Sequence, residues 1–338
     1  MALKPATEET IKAALERLEK DNGGKLKSQY AIKGDGIELN LNNNPSLRDL
    51  GALSGLPLVK LELQYADVAD LRPLVGMPLA YLDIEGNKVE NIKPLSKIKT
   101  LNSLNMSFTR MYDLNPLKGL QLIKFVWVDS KGIRDLTPFA GMPLESLSVS
   151  FSDSTSPKEM AANIAVMKDM PLAVYLSLGG AVIKDIKFLE TFLSSKSLTL
   201  VSTQVSDLSP LRGMKSLHSL RLGDNRKVVD FKALKGINLN ILYIINMDIT
   251  SLEPLAERGK LITYLTILAC PKLTDTDKIP EYFPNLSFIT IDPDFPRPEI
   301  LTRCAKLNQI RFKEGAPFMT MEEFRKQFSK PAKQPGQK

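Results

Sequence analysis

The residue types that carry most enzymatic chemistry are scarce in this chain of 338 residues, which has one histidine, His218, and two cysteines, Cys270 and Cys304. Covalent or acid–base catalysis needs a nucleophile beside a base, or two titratable groups facing one cleft. His218 lies in Lys215-Ser216-Leu217-His218-Ser219-Leu220, between two leucines at the entrance of an expected strand, a setting for a solvated or packed imidazole. Neither cysteine belongs to a Cys-x-x-Cys or Cys/His pair with metal-ligand spacing, and two are too few for a disulfide framework. Both are expected in the core. The third chemical signal is a ladder of aspartates, Asp70, Asp113 and Asp207, each opening an Asp-Leu-x-Pro-Leu run. Carboxylates at regular intervals suggest a metal, but an aspartate before a proline-started turn is equally a backbone cap, since its carboxylate accepts N–H groups and proline presets φ. The capping role accounts for all of them, so no catalytic residue, metal or cofactor is assigned.

An internal repeat supplies the framework around these residues. Aligning the segment from Gly55 with that from Gly76 superposes leucines, prolines and the acidic or amide position in a unit L-x-x-L-x-L-x6-D/N-L-x-P-L. Its prolines fall at Pro73, Pro94, Pro116 and Pro138, in steps of 21, 22 and 22, and return at Pro210 and Pro254, 44 apart. Ala233 fills the proline position between them. This length and leucine spacing specify a leucine-rich repeat, in which each unit supplies one short strand and a return segment and buries its apolar side only by stacking on its neighbours. The expected fold class is α/β: a leucine-rich repeat solenoid with a curved parallel sheet on the concave face, short helical or 3-10 return turns on the convex face, and helical caps. Period-two alternation turns Leu61 and Leu63, Leu82 and Ile84, Leu104 and Met106 inward, and the same frame assigns Phe125 and Trp127 to the core. It also makes Leu220 a core residue and Arg221 a surface one.

The ends and one interruption complete the organisation. Residues 1–50 are expected to form an N-terminal cap: a helix over 7–21 with Ile11, Leu15 and Leu18 on one face, closed by Gly23-Gly24, then a hairpin turn in Ile32-Lys33-Gly34-Asp35-Gly36-Ile37. Residues 51–313 hold the repeats, with a helical insertion at 152–171 that Ser156-Pro157-Lys158-Glu159 opens. A C-terminal cap helix is expected over 314–330, started by Thr320-Met321-Glu322-Glu323, and residues 331–338 are too polar to fold.

Residues flanking the inward leucines form the concave face and change character along the chain. Glu62, Asp83 and Glu85 make the early part acidic, and Ser146, Ser148, Ser150, Ser177, Gly179 and Ser197 make the middle small and polar. Tyr243, Ile245, Tyr264 and Leu268 make a late apolar patch beside Arg221, and Tyr175 lies earlier on the same side. Tyrosine offers a large contact area with few rotors to freeze, so these six are the candidate binding residues, unless the C-terminal segment folds over the late patch.

The Gly-Met-Pro-Leu runs at 76–79 and 141–144, each after Asp-Leu-x-Pro-Leu/Phe, resemble the leucine-rich repeat regions of planctomycete-type bacterial proteins. The N-terminal helix with its hairpin, and the closing stretches from Ala305 to Ile310 and Met321 to Lys326, are similar to that family's end pieces, so the resemblance covers most of the chain. It departs where Ala233 and Phe188 replace the proline, and at the 152–171 insertion. Such regions often follow a serine/threonine kinase domain, which implies the ligand-binding region of a larger signalling kinase. The chain itself carries no kinase: Ile164 to Lys168 mimics the Val-Ala-Ile-Lys strand motif, but no glycine-rich loop, His-Arg-Asp or Asp-Phe-Gly accompanies it.

The expected function is therefore a non-catalytic module that recognises a protein or peptide on the concave face, with a glycan sensor as the alternative, tyrosines stacking on sugar rings while serines donate hydrogen bonds. The net charge of +7 comes from lysines and arginines scattered over all repeats, with no dense run, so no nucleic-acid partner is expected. No apolar stretch approaches the roughly 20 residues that span a bilayer. The start, MALKPATEET, lacks the basic-then-apolar pattern of a secretory signal, which points to the cytoplasm or to an excised piece of a larger or membrane-anchored protein.

Overall fold

The computed structural model describes residues 3–170 and 174–328, which divide into two compact units, Met1–Val182 and Ile183–Lys338. In the first unit helix α1 (Glu8–Asp21) is capped by Thr7, whose side chain accepts from the Thr10 N–H, and buries Ile11, Ala14 and Leu18. A hairpin follows, β1 (Gln29–Lys33) and β2 (Gly36–Asn40), joined by the two-residue turn at Gly34-Asp35. Strands β3 (Leu58–Glu62), β4 (Tyr81–Asp83), β5 (Ser103–Asn105), β6 (Phe125–Ile133), β7 (Ser146–Phe151) and β8 (Tyr175–Gly179) then pair in parallel, each with its sequence neighbour. Between β7 and β8 lies α2 (Pro157–Lys168), opened by a reciprocal capping box between Ser156 and Glu159. Asn163 of this helix is fully buried and ties it to the preceding repeat, accepting from the Leu136 N–H at 2.8 Å and donating to the Arg134 carbonyl at 2.8 Å.

The second unit continues the pattern with β9 (Ser197–Val201), β10 (Ser219–Gly223), β11 (Ile241–Ile245), β12 (Tyr264–Leu268), β13 (Phe288–Ile291) and β14 (Gln309–Phe312), again parallel and in chain order. A four-residue helix α3 (Ile279–Tyr282) sits in one return segment. The unit closes with the antiparallel strand β15 (Met319–Thr320) and helix α4 (Met321–Phe328), where Thr320 and Glu323 exchange the two bonds of a capping box.

Return segments are 3-10 turns, and the aspartates start them. Asp70, Asp113, Asp135, Asp207 and Asp230 each accept the backbone N–H two residues on, at 2.8–2.9 Å, with Asn91 filling the same role. At the strand ends the chain turns through the left-handed region: positive φ recurs at Asn43, Tyr65, Gly86 and Phe108, and again at Ser202, Asp224, Asn246 and Ala269. Behind the sheet, two buried asparagines bind their repeats to the neighbouring ones. Asn87, 2% exposed, donates to the Leu63 carbonyl at 2.7 Å and accepts from the Val68 N–H at 3.0 Å, and Asn225 treats the Leu200 carbonyl and the Thr203 N–H in the same way.

The strand register corrects the sequence frame at one repeat. Leu104 pairs with Val126 and Asn105 with Trp127, so Val126 and Val128 are fully buried while Phe125 and Trp127 stand half-buried on the opposite side of the sheet. In Phe125-Val126-Trp127-Val128 both faces are apolar, and hydrophobicity alone does not choose between them; pairing with the neighbouring repeat does. Leu61, Leu63, Leu82, Ile84, Leu104, Met106 and Leu220 are all buried as read. Cys304 is buried, but Cys270 is only half so, because it follows the end of β12 rather than lying within the strand. The tail at 331–338 lies outside the described residues.

Candidate functional site

The side of each sheet turned away from the leucine core is its open face. In the second unit, strand register lines up Ile241 with Tyr264, Tyr243 with Thr266 and Ile245 with Leu268, so that Arg221, Tyr243, Ile245, Tyr264 and Leu268 all lie on this face across three adjacent strands. Their rings and charges make one connected array. The Arg221 guanidinium lies 5.1 Å from the Tyr243 ring centre; Tyr243 and Tyr264 stand 5.4 Å apart, Tyr264 and Phe288 6.0 Å, and Phe288 and Phe318 6.1 Å edge to face. Arg311 closes the far end, with its guanidinium 4.7 Å from the Phe318 ring, its Nε donating to Thr290 Oγ1 at 3.2 Å and Nη2 to the Tyr264 hydroxyl at 3.2 Å.

The segment joining β14 to β15 reaches onto this array from the C-terminal side. Glu314 takes both Arg221 Nη atoms, at 3.0 and 3.2 Å, and the guanidinium holds the Glu314 carboxyl below its ordinary range. Burial, with Tyr264 alongside, pushes the Tyr243 phenol upward, so it stays neutral and able to donate a hydrogen bond at physiological pH. Thr266, between the tyrosines, is fully buried although it faces the open side, and among the described residues its hydroxyl has no partner. The sequence pattern does not show this cover, because Arg221 and Glu314 are 93 positions apart.

Tyr175 belongs to the first unit, on β8. That unit's open face mixes carboxylates, amides and serines with aromatic rings. Asp83, 2% exposed, accepts from Gln64 Nε2 at 2.7 Å and Asn105 Nδ2 at 3.2 Å, and Glu85 accepts from the same two amides at 3.4 and 3.0 Å. Asp129 accepts the Ser148 and Ser150 hydroxyls at 2.6 and 3.3 Å. Burial raises the carboxyl pKa of both Asp83 and Asp129, and the Glu85 charge adds to the shift in each. Beside them Phe125 and Trp127 stack with centres 6.4 Å apart.

The groups that could do covalent chemistry are placed elsewhere. His218 is exposed, and its Nδ1 bonds to the Ser216 carbonyl two residues back. Burial pushes both thiols up to about 11, which keeps them protonated and poorly nucleophilic at neutral pH. Among the described residues, no group of three or more His, Cys, Asp or Glu side chains could hold a metal ion, and no helix is long and apolar enough to cross a membrane.

Solved structures share this architecture. An internalin from Listeria monocytogenes str. 4b F2365 aligns at 22% identity over 82% of this chain and 73% of its own, with a TM-score of 0.49. A leucine-rich repeat protein from Leptospira interrogans aligns at 18% identity over 81% and 71%, with a TM-score of 0.46. A chain of the Drosophila Toll–Spätzle complex aligns at 12% identity over 89% of this chain, with a TM-score of 0.52, and this chain spans 48% of its length. Each unit is a leucine-rich repeat solenoid. Within each unit the strand supplies the open face and the 3-10 turn the opposite side, so that side chains between inward leucines lie on the open face. No protein-family model matches the chain, and no curated protein does.

Proposed function

We propose that this protein is a non-catalytic recognition module that holds a segment of another protein against the open face of its repeat sheet, with Arg221, Tyr243, Ile245, Tyr264 and Leu268 as contact residues in the second unit. The observation that carries the reading is the connected array from Arg221 through Tyr243, Tyr264 and Phe288 to Phe318. Rigid aromatic rings beside arginine are the composition of binding hot spots, which combine large contact area with little rotamer entropy to lose. Repeat folds of this kind serve as extended binding surfaces, and the fold is the one seen in the Toll–Spätzle complex. The Gly-Met-Pro-Leu repeats favour a bacterial, planctomycete-type parent in which this chain serves as the ligand-binding region.

The test is capture from native lysate by the wild-type chain and by the Tyr243→Asp/Tyr264→Asp pair, after circular dichroism shows equal folding, followed by direct titration of the captured protein once purified. A protein retained by the wild type, lost from the pair and binding directly is the expected result. Equal retention by both would remove the second-unit site, and capture of glycans alone would replace the protein reading with a sugar-binding one.

A further inference from the structure

The open face of the first unit has a chemistry of its own. Strand register places Tyr81, Ser103, Phe125, Ser146 and Tyr175 in one row across β4 to β8, an aromatic residue on every second strand with a serine between. Neighbouring strands lie about 4.8 Å apart, so successive aromatic ridges are spaced by roughly 9.6 Å. Ser103 and Ser146 are buried, forming a small-residue floor between the ridges. Alongside this row run the carboxylates Asp83, Glu85 and Asp129, with Trp127 among them. Among the described residues none of these three carboxylates has a lysine or arginine as ion-pair partner, while surface carboxylates such as Asp67 and Glu145 do. Neutral amides and hydroxyls hold them instead, leaving a negative stripe on a chain of net charge +7.

This spacing matches one backbone conformation. A polyproline II segment rises about 3.1 Å per residue with three residues per turn, so every third side chain points the same way at intervals of roughly 9.3 Å. Laid across the strands, such a segment would meet the aromatic ridges in step, with prolines against the Phe125 and Tyr175 rings, the Lys60 ammonium lying 5.0 Å from the Tyr81 ring centre, and the alternate edge over the carboxylates. Aromatic-lined surfaces take proline-rich segments because that helix is formed before binding and little entropy is lost. A cation on its edge would answer the charge that Asp83, Glu85 and Asp129 lack, and guanidinium–carboxylate pairs add direction as well as charge.

We infer that the open face of the first unit docks an extended, proline-containing segment of a partner protein with arginine or lysine at every third position. The inference rests on the recognition-module reading but uses a different surface from the second-unit array. Its test is titration of the full chain with a labelled peptide of four Arg-Pro-Ala repeats, and with a peptide of the same composition in which the four arginines are contiguous. The periodic peptide should bind roughly tenfold more tightly, a difference of about 1.4 kcal/mol. Glu85→Gln, Asp129→Asn and Phe125→Ala/Trp127→Ala should each weaken it several-fold, with circular dichroism showing equal folding, while Tyr243→Asp/Tyr264→Asp leaves it unchanged. Should Asp129→Asn fail to fold, Glu85→Gln, at a half-buried position, carries the same test. Equal affinity for the two peptides would reduce the interaction to unspecific charge and overturn the inference, as would no binding or binding indifferent to the first-unit substitutions. If tyrosine-dependent capture by the second unit persists while the peptide titration fails, this inference falls and the functional reading stands.

Discussion

Arg221 on β10 and Glu314 beyond β14 meet as a two-pronged ion pair, with Nη1 and Nη2 3.0 and 3.2 Å from the two carboxylate oxygens. The pair ties the C-terminal segment of the second unit to the middle of its open face, with the Tyr243 ring beneath the guanidinium. Both partners are partly solvated, so the expected coupling between Arg221→Ala and Glu314→Ala in a double-mutant cycle is about 0.5–1 kcal/mol, falling with added salt. Arg221→Ala alone should cost more than Glu314→Ala, because it also removes the contact with Tyr243, worth roughly 0.5–1 kcal/mol. Urea denaturation of the four proteins measures both. A coupling of zero would mean that the C-terminal segment is not held by this contact.

Strand register supplies a sharper test of which side of the sheet is core. Leu220→Ala, at a fully buried position, should cost about 2–5 kcal/mol. The adjacent pair Val126 and Trp127 extends the same logic. Val126→Asp places a charge in the core and should abolish cooperative unfolding, whereas Trp127→Asp leaves a folded protein, since that side chain faces the open side. Thermal melts followed by circular dichroism decide it, and the reverse order would restore the frame in which tryptophan is core.

Removing one buried asparagine should be expensive for so small a change. Asn87→Ala strands the Leu63 carbonyl and the Val68 N–H inside the stack, at about 1–3 kcal/mol for each buried group left without a partner. Hydrogen exchange of the Val68 amide should accelerate in the variant. A stability change under about 0.5 kcal/mol, the range of ordinary surface substitutions, would show that water replaces the side chain.

Acid should act on two kinds of carboxylate in opposite directions. Glu159 is held down to about 2 by the Ser156 hydroxyl and N–H and by Arg134, against an ordinary value of 4.5. Its folded pKa is depressed, so its contribution is fully present above pH 4.5 and is lost as pH falls towards 2. Glu159→Gln should therefore be less stable than wild type at neutral pH and converge with it near pH 2. Asp129 has the opposite sign: burial raises its folded pKa above the ordinary 3.8, so ionisation opposes folding. Asp129→Asn should match or exceed wild-type stability at neutral pH, and acidification should move the comparison in favour of the wild type. Melting temperatures of the three proteins across this range provide the check.

Local signals in the chain were the legible ones. Asp-Leu-x-Pro-Leu, the box at Ser156 to Glu159, the box at Thr320 to Glu323 and the Gly34-Asp35 turn all act within a few residues, where hydrogen-bonding chemistry leaves few alternatives. The role of Asn87 and Asn225 is not visible in the leucine spacing, although both stand three residues after an inward residue, Ile84 and Leu222. That spacing is the signal that could have found them. Alternation puts Trp127 on the wrong side because it cannot choose a face when both are apolar. The clasp over Tyr243 was open in the sequence as one of two outcomes, and it turns on a contact between residues 93 positions apart, which no repeat spacing encodes.

Within each unit the strands pair only with their sequence neighbours, and that has a mechanical consequence. In a globular sheet with crossovers, tension on the two ends loads several strands at once in shear. Here a pull along the chain would peel the outermost strand of a unit from the one beside it, breaking bonds one after another as a zipper opens. Each freed repeat of 22 residues would add about 75 Å of extended chain. Each unit should therefore lengthen under load in a staircase of steps of about one repeat, longer where α2 is inserted, and re-form by the same steps when released, behaving as a compliant spacer.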